Sequence, residues 1–170
     1  LEHIMIECEA SGQKQIWRLA TETLAQRNID ITTLSIGEIM GCAMPQYKNS
    51  DKKPDTALDR LYTIIMTESM YLIWLIQCEW VLDHGGDQEK INSDSQITAR
   101  WKQRINRRIR LDQTMATKRA HKWKKVDKKL VLETWRGTLE NEENLPEDWI
   151  RMRGVLVGTG VDRPPPGRNR

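Results

Sequence analysis

From Thr56 to about His84 the chain contains nothing that breaks a helix, and Gly85-Gly86 then stops it. At ~1.5 Å per residue such a helix is about 40 Å long, which is long for a globular domain. Leu58, Leu61, Tyr62, Ile65, Ser69, Leu72, Ile76 and Trp80 recur on one side of it. Ile64, Tyr71, Leu75 and Cys78 widen that side, so more than one face must be covered by neighbours. This one segment sets the expected fold class: mainly α, a helical bundle around one long central helix. Its most apolar part, Leu61 to Leu82, is interrupted by Glu68, Gln77 and Glu79. No apolar run therefore reaches the ~18 residues of a transmembrane helix, and no membrane partner is expected.

The rest of the chain supplies the helices that would pack around this centre. Ile16, Leu19, Ala20, Thr23 and Leu24, with Trp17 beside them, carry a helical pattern that stops near Arg27-Asn28. Ser35-Ile-Gly-Glu38 reads as a capping box before a short helix. Residues 43–54 read as a loop. Ser93 with Gln96 is a second capping box, opening a helix through Ile97, Trp101, Ile105 and Ile109 that continues to Leu111 and Met115. Leu130, Leu132, Trp135 and Leu139 mark a further helix, and Asn144-Leu-Pro-Glu147 reads as a cap opening a short turn through Trp149. Residues 1–8 suggest a strand or the start of a knuckle, and the stretch from Gly154 to Arg170, with Pro164-Pro165-Pro166, suggests a mobile tail. The expected organisation is a first unit over 1–27, a linker with a short helix over 28–55, a helical domain over 56–150 and a flexible tail over 151–170. Because the apolar pattern begins at Leu1, the N-terminus reads as a cut through a longer protein.

Composition refines this picture. Apolar residues make up 38% and charged residues 30%, enough for a modest core. With no Phe and seven Trp, indole rings must supply most of the large aromatic surface, and several are expected to anchor packing between helices, Trp101 and Trp135 among them. The three cysteines, Cys8, Cys42 and Cys78, are an odd count without a signal peptide, which points to a reducing, intracellular compartment, nuclear or cytoplasmic. Cys42 and Cys78 read as small buried thiols, and His84 as a helix-end residue.

Charge is distributed unevenly. Between Lys102 and Lys129 twelve Lys/Arg face two Asp, a local charge of +10, although the whole chain carries only +3. Arg100, Arg104, Arg107 and Arg108 recur at steps of three and four on a helix whose other side is apolar. Lys118, Arg119, Lys122, Lys124, Lys125, Lys128 and Lys129 follow, with Trp123 among them. Cations at this density neutralise phosphates and release counterions, and an exposed Trp stacks on an unpaired base, so RNA or DNA is the expected partner. The competing reading is a solvated basic face balanced by acids elsewhere. No catalytic arrangement is visible: there is no Gly-rich phosphate loop and no nucleophile elbow. Glu68 stands out among apolar neighbours and reads as an exposed or capped carboxylate. A ribonuclease H fragment would need several carboxylates on a mixed sheet to hold Mg²⁺, and strands are scarce in this pattern.

His3 and Cys8 have the H-x4-C spacing of the last two ligands of a zinc knuckle. The segment Glu2-His3-Ile4-Met5-Ile6-Glu7-Cys8, followed by Ile16-Trp17, resembles the end of the zinc-binding domain of reverse transcriptases in non-LTR retrotransposon polyproteins. The longer chain resembles the helical extension of fungal members in Gly37-x3-Gly41-Cys42, Glu68-Ser69-x-Tyr71-Leu72-Ile73-Trp74, Cys78-Glu79 and Glu142-Glu143-Asn144-Leu145-Pro146. The resemblance implies a non-catalytic C-terminal segment that positions nucleic acid for a polymerase lying elsewhere. It implies zinc only where further ligands are supplied, because the upstream Cys-x2-Cys pair is absent here. The alternative is a helix-rich interaction or structural module that binds no nucleic acid.

Overall fold

The computed structural model describes residues 1–31, 34–117 and 126–159. Five α-helices form its frame: α1 (Gln13–Ala25), α2 (Ile36–Met40), α3 (Thr56–Cys78), α4 (Asp94–Thr117) and α5 (Lys128–Trp135). Among the described residues no β-strand forms; two isolated antiparallel bridges, Lys48 with Pro54 and Leu139 with Val157, are the extended pairings.

α3 is the expected central helix. Asp55 caps its start, its carboxylate accepting the N–H groups of Ala57 and Leu58. At the far end the helix widens into a π-helical turn, Glu79–Asp83, and stops at Gly85 and Gly86, whose positive φ angles of 59° and 77° suit glycine. Leu61, Ile65, Leu72, Ile73 and Ile76 are fully enclosed by α1, α4 and α5. By length and composition Thr56–Asp83 could cross a membrane; here it is the core helix of the bundle, and its two acidic residues within the apolar stretch, Glu68 and Glu79, meet arginines of α4.

Both predicted capping boxes are present. Ser35 and Glu38 bond reciprocally at the start of α2, and Ser93 and Gln96 do so at the start of α4. α1 begins at Gly12, φ +67°, where an added Cβ would lie 2.5 Å from Ile97 Cδ1, so the absence of a side chain lets α1 meet α4. Arg27 closes the C-terminal end of α5 by donating to the carbonyls of Glu133 and Arg136.

Four of the six described tryptophans are buried, and their indole N–H groups organise the core. Trp17 donates to the Met5 carbonyl, Trp101 to Ser69 Oγ on α3 and Trp135 to Asp112 Oδ2 on α4. Trp149 is buried as well, whereas Trp74 is 44% exposed.

Three expectations are corrected. Residues 1–8 do not form a strand: His3–Glu7 is a π-helical turn whose Met5 enters the core. The Asn144–Glu147 segment does not open a turn of helix; the short 3₁₀ turn lies earlier, at Glu142–Asn144, because the Glu142 carboxylate folds back onto the N–H groups of Gly137 and Leu139. The expected tail is packed as far as Thr159: Val155 and Val157 are buried, and the Val157 N–H bonds Asn106 Oδ1 on α4. Glu140 and Gly158 donate to the carbonyls of Leu156 and Thr138, closing the pairing of the two stretches. The expected tail residues 160–170 lie outside the described residues. Side chains from 1–27, 28–55, 56–150 and 151–159 all contribute to one apolar core.

Candidate nucleic-acid interface

α4 divides its side chains by helical period. Ile97, Trp101, Ile105, Ile109, Asp112 and Ala116 turn into the core. The arginines occupy the flanks and the outer face, and the flanks matter because α3 runs alongside.

Arg100 forms a two-pronged pair with Glu79, Nη1 to Oε2 at 2.6 Å and Nη2 to Oε1 at 2.7 Å. These bonds hold the Glu79 carboxyl below its ordinary range, with partial burial opposing. Arg104 donates through Nε and Nη2 to Glu68 Oε2 at 3.0 and 2.6 Å, and its guanidinium lies 4.5 Å from the centre of the Tyr71 ring. Glu68 is thus neither free nor a cap; it is half of a pair between α3 and α4. Farther along, Asp112, fully buried, accepts Arg60 Nη2 of α3 at 2.6 Å, and Arg108 Nε stands 3.9 Å from the same oxygen. Arg100 and Arg104 therefore already have strong acceptors, and displacing them would leave two partly buried carboxylates unpaired.

Arg107 and Arg110 differ. Both are exposed, and they occupy the half of α4 that leads into the basic run. Lys118, Arg119, Lys122, Trp123, Lys124 and Lys125 lie outside the described residues. Past that run, Lys128 pairs with Asp148, whose carboxyl it holds below the ordinary range, and Lys129 is exposed in the first turn of α5.

Comparison with protein-family models, characterised proteins and solved structures finds no match.

The two residues with knuckle spacing point to different neighbours. His3 Nδ1 lies 3.1 Å from Glu7 Oε2 at the surface, and the Cys8 thiol donates to Gln77 Oε1 of α3 at 3.4 Å. Among the described residues no group of three or more His, Cys, Asp and Glu is placed to hold a metal ion, so these two do not make a tetrahedral zinc site by themselves. Cys42 is buried, and burial raises its thiol pKa, which disfavours the thiolate a metal needs. Cys78 is half-buried rather than enclosed, and His84 ends the π-helical turn in an exposed position.

Sequence reasoning missed the acids that meet the arginines. Glu68 and Glu79 are eleven positions apart, about three helical turns, and so lie along one flank of α3. Arg100 and Arg104, four positions apart, likewise share one flank of a second long helix, and these two facing flanks of opposite charge were the available signal.

Proposed function

We propose that this chain is a non-catalytic helical scaffold that binds the backbone of a nucleic acid through the second half of α4 and the basic run after it. The observation that carries the reading is the division among the arginines. Arg100 and Arg104 join α3 to α4, while Arg107 and Arg110 remain exposed beside a sequence stretch rich in Lys and Arg. Backbone phosphates match such exposed guanidinium groups, and contacts of this kind carry little base preference. The wider context we propose, a C-terminal segment of a reverse-transcriptase polyprotein of the retrotransposon type, rests on the resemblance in sequence. Zinc belongs to that context only with ligands from elsewhere, and the intracellular location rests on cysteine usage.

A second reading has its own observation. Tyr71 and Trp74 are exposed on α3, and Val81 and Leu82, the latter at 77% exposure, are exposed on the π-helical turn that follows it. An apolar stripe of this kind suits a protein partner. The experiment that separates the readings is binding of a labelled single strand and a labelled duplex by the intact chain and by Trp123→Ala. We expect the substitution to weaken single-strand binding more than duplex binding, because a stacked base is lost. Failure of the folded chain to bind either at low salt favours the protein-interaction reading.

A further inference from the structure

A cavity of about 630 Å³ opens where the connection from α1 to α3 crosses the start of α3. Its walls include Tyr47, Tyr62, Asp30, Glu38, Met44 and Pro45. The two rings pack against each other, their centroids 5.5 Å apart and their planes tilted by 59°. Among the described residues no Lys or Arg lines the cavity, although the chain as a whole is basic.

Several features fix these walls before any ligand arrives. The Tyr47 N–H bonds Asp59 Oδ1 at 2.6 Å and its carbonyl accepts the Asp55 N–H at 2.9 Å, which ties its backbone to the first turn of α3. Glu38 is held by the capping box at the start of α2. Tyr62 is only 5% exposed. Burial, with the Glu38 charge adding to it, pushes the Tyr62 phenol above its ordinary pKa, and Tyr47 is pushed up to about 12. Both rings are therefore neutral at physiological pH. Met40 and Met44, 60% and 81% exposed, extend the adjoining surface with flexible apolar side chains.

We infer that this cavity binds an alkylammonium group, of the kind carried by a lysine side chain and its methylated forms. The ring faces attract the cation through their quadrupoles, Asp30 and Glu38 supply the opposing charge, and the Tyr62 hydroxyl offers an acceptor. Methyl groups on the nitrogen add apolar contact with the rings and lower the cost of taking the cation out of water. The site is separate from the basic face and does not rest on the nucleic-acid reading.

The test uses the whole chain, labelled with ¹⁵N, and four probes: a short neutral peptide carrying trimethyl-lysine, the same peptide with lysine, the same peptide with norleucine, and tetramethylammonium. We expect saturable amide shifts at Glu38, Gly41 and Tyr47 with the trimethyl-lysine peptide, with a dissociation constant of about 1 mM or tighter. The lysine peptide should bind more weakly and the norleucine peptide should not bind. Saturation by tetramethylammonium with equal affinity identifies the free cation as the ligand, and stronger binding of the peptide identifies a peptide-borne one; either supports the site. Glu38→Gln keeps the capping box, since Gln serves at that position, and removes one charge. Combined with Asp30→Asn it should weaken binding about tenfold or more, with helix content unchanged. Equal shifts from the norleucine peptide, shifts mapping away from α2 and Tyr47, or affinity unchanged in the double variant would overturn the proposal.

Discussion

Asp112 is the side chain whose loss should cost the fold most. Its carboxylate is fully enclosed and receives both the Arg60 guanidinium and the Trp135 indole N–H. Asp112→Ala would leave a cation of α3 and a buried donor of α5 without their acceptor, and we expect a loss of about 3–5 kcal/mol, measured by urea unfolding. A loss below about 1 kcal/mol would mean that solvent reaches this junction. Glu79 gives a pH signature at the same scale. Its folded pKa is lowered from 4.5, chiefly by the hydrogen bonds of Arg100. The stabilisation is therefore present above pH 4.5 and disappears as pH falls through the lower folded value. Thermal melts of the wild type should thus lose more stability between pH 6 and pH 3 than those of Glu79→Gln; equal losses would remove Glu79 as a contributor. At His3 and Cys8 two ligands leave half of a zinc shell to water, so zinc titration against a chelator should show weak binding or none. Tight one-to-one binding would require further ligands from this chain or a second copy.

Among the elements, α3 carries the central test of the fold. Leu72 and Ile76 are enclosed, and replacing either with Ala should cost about 2–5 kcal/mol in chemical denaturation. Losses below about 1 kcal/mol at both would place the core elsewhere. Much of this helix could be read in advance because apolar side chains at its period leave few alternatives, and Gly85-Gly86 marks its end. The serine caps at Ser35 and Ser93 were legible for a similar reason: the Ser-x-x-Glu and Ser-x-x-Gln patterns each satisfy local donors. Other features depend on distant partners. The packed stretch from Val155 to Thr159 follows from bonds to Asn106, Thr138 and Glu140, which no local pattern records. The π-helical turn of residues 3–7 places the Met5 carbonyl where the Trp17 indole N–H donates to it, a hydrogen bond across twelve positions that no local pattern records.

On the scale of the whole molecule, a regular series of arginines separates into two groups once α3 and α4 lie side by side. Periodicity located the series and the apolar face behind it, yet the series alone does not tell an arginine meeting Glu68 or Glu79 from one facing water. That distinction requires the register between two helices, set by contacts such as Trp101 to Ser69. The most direct measurement of the proposed role is fluorescence anisotropy with one labelled oligonucleotide duplex across a series of salt concentrations. It compares the wild type, Arg107→Gln/Arg110→Gln and Arg104→Gln. We expect the wild type to bind with a steep salt dependence and the double variant to stay folded while its slope falls by about two units. Arg104→Gln should lower thermal stability and leave the slope near that of the wild type, because its guanidinium serves Glu68. An unchanged slope in the folded double variant, or no binding by the folded wild type at low salt, would contradict nucleic-acid binding through this face.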